Sequence, residues 1–155
     1  MVWGGIHLHG RTPLHLIQGN LTGVRYRDEI VQCIVLPTLQ TMGPGVILQD
    51  DNATPHRARV VTGFFQQHQI TQINWPARSL ELAAIENLWD ILGRCVHDNH
   101  LPAANLAQLF QFLQQEWNAI PQQTLVTLVQ SMRKDVSNAS WQMAVLWTID
   151  SSKVH

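Results

Sequence analysis

Gly43-Pro44-Gly45-Val46-Ile47-Leu48-Gln49-Asp50-Asp51-Asn52 is the stretch on which the fold turns. Glycine and proline together stop any helix that precedes them, and the apolar run after them is closed by polar and acidic residues. A short, unbroken apolar run between such boundaries is the pattern of a strand buried on both faces, inside an α/β sheet. Thr54-Pro55 follows as an N-cap with proline at the first helical position, which predicts a helix to residue 67. Acidic residues therefore stand at the carboxyl end of an inner strand, the edge at which open α/β sheets bind ligands.

Upstream, residues 2–9 set Trp3, Ile6 and Leu8 among glycines and histidines, residues 10–13 form a turn, and Leu14-His15-Leu16-Ile17 returns as the second strand of a hairpin. A helix is predicted over residues 24–36, with Ile30 and Ile34 one turn apart and Pro37 bending or ending it. Downstream, residues 70–75 form a short strand stopped by Pro76. From Leu82 onward the spacing is helical: Leu82, Ile85, Trp89, Leu92 and Val96, then Leu106, Phe110, Leu113 and Trp117, then Leu125, Leu128 and Met132 after Pro121. Residues 136–155 show no clean period and are predicted to be an irregular tail on a domain of residues 1–135. The order predicts an α/β layout with helices on both sheet faces.

The chain of 155 residues is the size of one domain, or one incomplete domain, and 45% hydrophobic residues are enough to bury a core. A net charge of −1 excludes a strongly basic nucleic-acid module and an acidic tail protein. Any grip on DNA by this segment should be weak. Cys33 and Cys95 lie far apart, which fits a reducing compartment and gives neither a disulfide framework nor a zinc knuckle. No apolar run approaches the roughly 18 residues of a membrane span, and the first residues lack the pattern of a signal peptide. A soluble chain, nuclear or cytoplasmic, is expected.

Two places combine carboxylates with rigid elements. Asp50 and Asp51 end the inner strand, and alternation sends them to opposite faces, so one of them can serve a given site. Glu86 borders the apolar stripe of Leu82, Ile85 and Trp89, and Asp90 one turn on repels it by about 0.2–0.5 kcal/mol unless a cation offsets the pair. Two convergent acids of this kind suit a hard divalent ion such as magnesium. Each acid alone reads more simply as a turn residue or a solvated helix face. His7, His9 and His15 lack an accompanying Cys, Asp or Glu at ligand spacing and read as hairpin surface. Trp75, Trp89 and Trp117 fit core packing better than base stacking.

Four phrases taken in order change the odds. Val2-Trp3-Gly4, Gln49-Asp50-Asp51-Asn52-Ala53 with His56, Asn74-Trp75-Pro76-Ala77-Arg78-Ser79, and Ile85-Glu86-Asn87-Leu88-Trp89 resemble the mariner-type DDE transposases over the first two thirds of the chain. In that family the Asp before Asn and the Glu of Ile-Glu-Asn are metal ligands, 34 residues apart in many members, and 34 residues lie between Asp51 and Glu86. The resemblance implies an RNase H-like fold, a mixed sheet flanked by helices, and a two-metal cleavage and strand-transfer reaction on DNA using Mg2+ or Mn2+. It implies Asp51 and Glu86 as catalytic ligands, with Asn52, His56 and Asn87 as accessory residues. Arg57, Arg59 and Arg78 lie near the expected cleft and are candidates for contacts to DNA phosphates, although three arginines do not make a basic patch.

The departures shape the expectation as much. The family's first catalytic Asp lies on a central strand ahead of the Val-Trp-Gly phrase, where this chain begins. Ser79-Leu80-Glu81-Leu82-Ala83-Ala84 replaces a loop that carries two prolines in the family. An incomplete RNase H-like fold lacking the first central strand is therefore expected, inactive as this fragment. The alternative is a non-catalytic remnant or co-opted module that binds nucleic acid or protein. Residues 46–49 should pair with 70–74 and not with 2–9, leaving a slot roughly 10 Å wide lined by unpaired backbone groups. Such a chain should be marginal and self-associate through exposed strand edges.

Overall fold

Val46–Gln49 is a strand, and it lies inside a mixed sheet rather than at its border. The structure is a computed structural model that describes residues 1–50, 53–73, 81–133 and 142–149. Its strands are β1 (Val2–His7), β2 (Gly10–Arg11), β3 (His15–Leu16), β4 (Val46–Gln49), β5 (Thr71–Ile73) and β6 (Gln142–Ile149). They run in the order β2-β1-β6-β4-β5, with β3 also paired to β1. β1 is antiparallel to β2, β3 and β6, whereas β4 is parallel to both β5 and β6.

As expected, β4 pairs with β5 and makes no ladder to β1. The slot between β1 and β4, however, is filled. β6 runs through it, from Val2↔Ile149 to His7↔Ala144 on one side and from Val46↔Gln142 to Gln49↔Val145 on the other. Residues 136–155 are thus not an irregular tail throughout, and the sheet does not lack a central strand. Met143-Ala144-Val145-Leu146-Trp147 is a continuous apolar run without alternation, and unlike Val46-Ile47-Leu48 it has no glycine-proline turn before it to mark a strand.

Helical structure from residue 23 to residue 42 passes straight through Pro37. It is α-helical over Gly23–Arg25 (α1), π-wound over Tyr26–Val35, and α-helical again over Leu36–Met42 (α2). Pro37 is the second residue of α2, directly after the π-wound stretch, so the helix continues through a proline that would interrupt a regular α-helical ladder. The helix predicted after Thr54 is also divided. Thr54–Arg57 forms a 3-10 turn, Ala58 is extended at ψ 144°, and α3 is Arg59–Gln67. α4 (Glu81–Asn99), α5 (Leu106–Ala119) and α6 (Gln122–Arg133) follow the predicted periodicity.

Each face of the sheet has its own core. Val2 and Ile6 of β1 meet Leu88 and Leu92 of α4, Leu113 and Trp117 of α5, and Leu125 of α6. Trp3 and Leu48 point the other way, into Tyr26, Ile30, Val61 and Phe65. The β1–β2 hairpin is fastened to α5. The Trp117 Nε1–H donates to the Thr12 carbonyl at 2.8 Å, and the Thr12 hydroxyl accepts from the Gly5 N–H at 2.8 Å. The Arg11 guanidinium donates to the carbonyls of Trp117 and Ile120, a cation at a helix C-terminus, where the helix dipole favours it.

Gly23 shows how a contact reverses a propensity. Alanine in a helix is favoured over glycine by roughly 1 kcal/mol. A Cβ at position 23, however, would stand 2.3 Å from the Ala58 Cβ, and neither atom can rotate away. Gly23→Ala is expected to lower stability by about 1–3 kcal/mol in urea unfolding. An unchanged or raised midpoint would show that α1 and the Ala58 corner do not meet. No helix among the described residues is long and apolar enough to cross a membrane.

Candidate metal and DNA site at the carboxyl end of β4

Asp50 continues β4 and is buried, and its Oδ2 accepts a hydrogen bond from Gln72 Nε2 of β5 at 2.7 Å. Leu48 belongs to the core on the α3 side, so strand alternation puts Asp50 on that face too and turns Gln49 to the side packed by α4, α5 and α6. Of the two adjacent aspartates, Asp50 is therefore engaged in joining β4 to β5. Asp51 and Asn52 lie outside the described residues. Glu86 falls in the first half of the 19-residue α4, and its side chain too lies outside what is described. α4 presses Leu88 and Leu92 onto the sheet face opposite Leu48, which leaves Asn87 and Asp90 exposed.

His56 is buried at 1% exposure and stacks on Tyr26, with ring centroids 4.0 Å apart. Tyr26 belongs to the core on the α3 side, so His56 packs on the sheet face away from α4. Arg57 and Arg59 are exposed at the turn and at the start of α3. Arg78 and Trp75 lie outside the described residues. Trp89 and Trp117 stack on each other with centroids 5.7 Å apart within the α4–α5 packing.

Among the described residues no group of three or more His, Cys, Asp or Glu could hold a metal ion. In the hairpin, His15 pairs with Glu29 at 3.4 Å, and burial together with the neighbouring His9 holds His7 below its ordinary pKa. Glu29 is held below the usual carboxylate range chiefly by its hydrogen bond from Arg25. Sequence reasoning missed Gln72 at the β4 terminus. A glutamine in a three-residue strand has no signature; the β4–β5 register, Leu48↔Gln72, brings it beside Asp50.

A mixed α/β domain emerges, with a buried acidic residue at the carboxyl end of an inner strand and a long helix packed on one sheet face. The chain belongs to the Tc1/mariner family of transposases. It is 32% identical over 133 residues to the transposable element Tc1 transposase of Caenorhabditis elegans, an alignment covering 85% of this chain and 48% of that protein. The Tcb2 transposase of Caenorhabditis briggsae is 30% identical over 132 residues, covering 85% and 48%. The Tc3 transposase of Caenorhabditis elegans is 30% identical over 132 residues, covering 85% and 40%. The chain thus spans about half the length of the curated relatives it matches, aligning with their C-terminal part. No protein-family profile matches it.

Proposed function

We propose that this chain is part of the RNase H-like catalytic domain of a DDE transposase, that it supplies Asp51 and Glu86 to a divalent cation, and that by itself it engages DNA without cutting it. The observation that carries this reading is the place of β6. It lies between β1 and β4, the position the family resemblance gives to the strand bearing the first catalytic Asp, yet residues 142–149 contain no carboxylate. Val145 is the register partner of Gln49, and the next residues along β6 are Leu146 and Trp147.

The donor chemistry suits one ion. Asp51 and Glu86 offer hard carboxylate oxygens, and Mg2+ characteristically takes one or two carboxylates and keeps several waters. Mn2+ suits the same oxygen donors. When bound, such an ion stabilises charge on phosphodiester oxygens. The chain's own residues would do the rest. Arg57, Arg59 and Arg78 would meet backbone phosphates. Asn52 and Asn87, next to the two ligands, would hydrogen-bond within the site. His56, stacked on Tyr26, would hold the turn after Asp51. Self-association would be confined to the outer strands, because β6 occupies the centre.

Supercoiled double-stranded DNA incubated with this chain and Mg2+ or Mn2+ is expected to stay intact. Metal-dependent nicking that disappears in Glu86→Gln would show that another residue supplies the third carboxylate. Binding should be weak and indifferent to sequence, with a shallow salt dependence, because few phosphates are neutralised. Tight binding at low salt that collapses at physiological salt would contradict this.

A further inference from the structure

A cavity of about 280 Å3 opens where α4 ends and α5 begins, at the end of α4 away from Glu86. Its apolar walls are Val96 and Leu109, both buried, with Ala103 of the connection and Phe112 of α5. Proteins hold small molecules in cavities of roughly 300–1,000 Å3 that are mostly apolar and carry a few placed polar groups, and this one stands at the lower end of that range. Its placed group is His100. The His100 Nε2 lies 2.8 Å from Glu116 Oε1, and Asn99 Nδ2 donates to both oxygens of the same carboxylate at 3.2 Å. The pair is shielded from water, with the His100 and Glu116 side chains 15% and 12% exposed. A carboxylate only accepts, so Nε2 of His100 carries the proton, and in the neutral ring Nδ1 is then an acceptor. Nδ1 meets no hydrogen-bond partner among the described residues and is not one of their buried unpaired atoms. The imidazole also stacks on Phe112, with centroids 4.2 Å apart and planes at 17°, so one wall of the cavity holds two nearly parallel rings. His97 reaches the cavity too, but it is exposed and water meets its nitrogens.

We propose that this cavity binds a small phenol, its ring against the apolar walls and the His100–Phe112 pair and its hydroxyl donating to His100 Nδ1. The proposal is independent of the DNA and cation readings above. A flat apolar body with one polar tip matches a wall of stacked rings that offers one acceptor. Glu116, itself held by Asn99, is the positioning residue, because its grip on Nε2–H keeps the acceptor at Nδ1. A ring without a donor would displace water from that nitrogen and give nothing in return, and this is how such a site discriminates. A carboxylate ligand is disfavoured, because the charge of Glu116 stands directly behind the imidazole.

The test is calorimetric titration of the whole chain with para-cresol and with its O-methyl ether, which has the same ring and no O–H. Cresol is expected to bind about 3–10-fold more tightly than the ether, the worth of one net hydrogen bond. Ala103→Leu fills the cavity from the connection without touching Glu116, and should weaken cresol binding about 10-fold or more. His100→Phe keeps the ring stack and removes the acceptor, so it should bind cresol and the ether equally. If His100→Phe does not fold, the two probes on the wild type and cresol on Ala103→Leu decide the matter. N-acetyl-tyrosine amide carries the same phenol on a peptide backbone and should bind more weakly than cresol, because the cavity is small; tighter binding overturns the assignment to a free small molecule. Equal affinity of the wild type for cresol and the ether, undiminished cresol binding in Ala103→Leu, or no cresol binding by the wild type up to its solubility limit overturns the proposal.

Discussion

Val145→Pro is expected to abolish the cooperative thermal unfolding transition of this chain. Val145 faces Ile6 across one ladder and Gln49 across the other, at the point where β6 joins the antiparallel and parallel halves of the sheet. Proline has no N–H to give to either neighbour, and its ring disturbs the strand, which is why it is confined to sheet edges. The substitution strands acceptors on buried strands, each costing about 1–3 kcal/mol. With β6 displaced, six positions of β1 and four of β4 lose their partners together. The sum exceeds the roughly 5–15 kcal/mol that holds a domain folded. The variant should scatter light on heating and show no sharp calorimetric peak. A sharp transition near the wild-type midpoint would mean that β6 does not close the sheet.

Trp117→Ala should cost about 3–5 kcal/mol, the range for emptying a buried aromatic site. Trp117 is 1% exposed, and its ring lies against Gly4, where a built Cβ would come within 3.3 Å of it. Its Nε1–H holds the Thr12 carbonyl, and its ring stacks on Trp89. Truncation therefore opens a cavity under β1, leaves the Thr12 carbonyl unpaired and loosens α5 from α4. Trp117→Phe keeps much of the ring volume and loses the hydrogen bond, so it should cost about 1–2 kcal/mol. Urea midpoints for the two variants check this. A loss below about 1.5 kcal/mol for the alanine variant would show that the hairpin is not fastened through this ring.

Local signals in the sequence carry β4 and the three C-terminal helices. The run Val46-Ile47-Leu48 is bounded by its own turn, and the helices repeat apolar residues every three or four positions. Even there the buried stripe is displaced by one residue in places. Leu88 lies deeper than Trp89, and Leu109 deeper than Phe110, the two aromatic rings packing against the cluster partly buried. β6 is illegible for a different reason. Its partners lie at the other end of the chain, and no local period records a pairing between distant strands. Pro37 misleads because the π-wound turn before it moves the proline into a tolerated place. At the proposed site, Asp51 and Glu86 stand out by wording and spacing. The commitment of Asp50 to Gln72 depends on strand register and face, which only the assembled sheet supplies.

The central position of β6 also sets the order of events at the ribosome. β6 is made long after β1, so the longest ladder of β1 joins residues far apart in sequence. At about 5–20 residues per second, β1 waits on the order of ten seconds for that partner. Helices α4–α6 form from local contacts as they emerge, whereas the sheet must wait for β6, a topology of high contact order that folds slowly. During synthesis the half-built sheet is a client for whatever in the cell shields bare strands, and the arrival of β6 decides whether β1 and β4 keep their places.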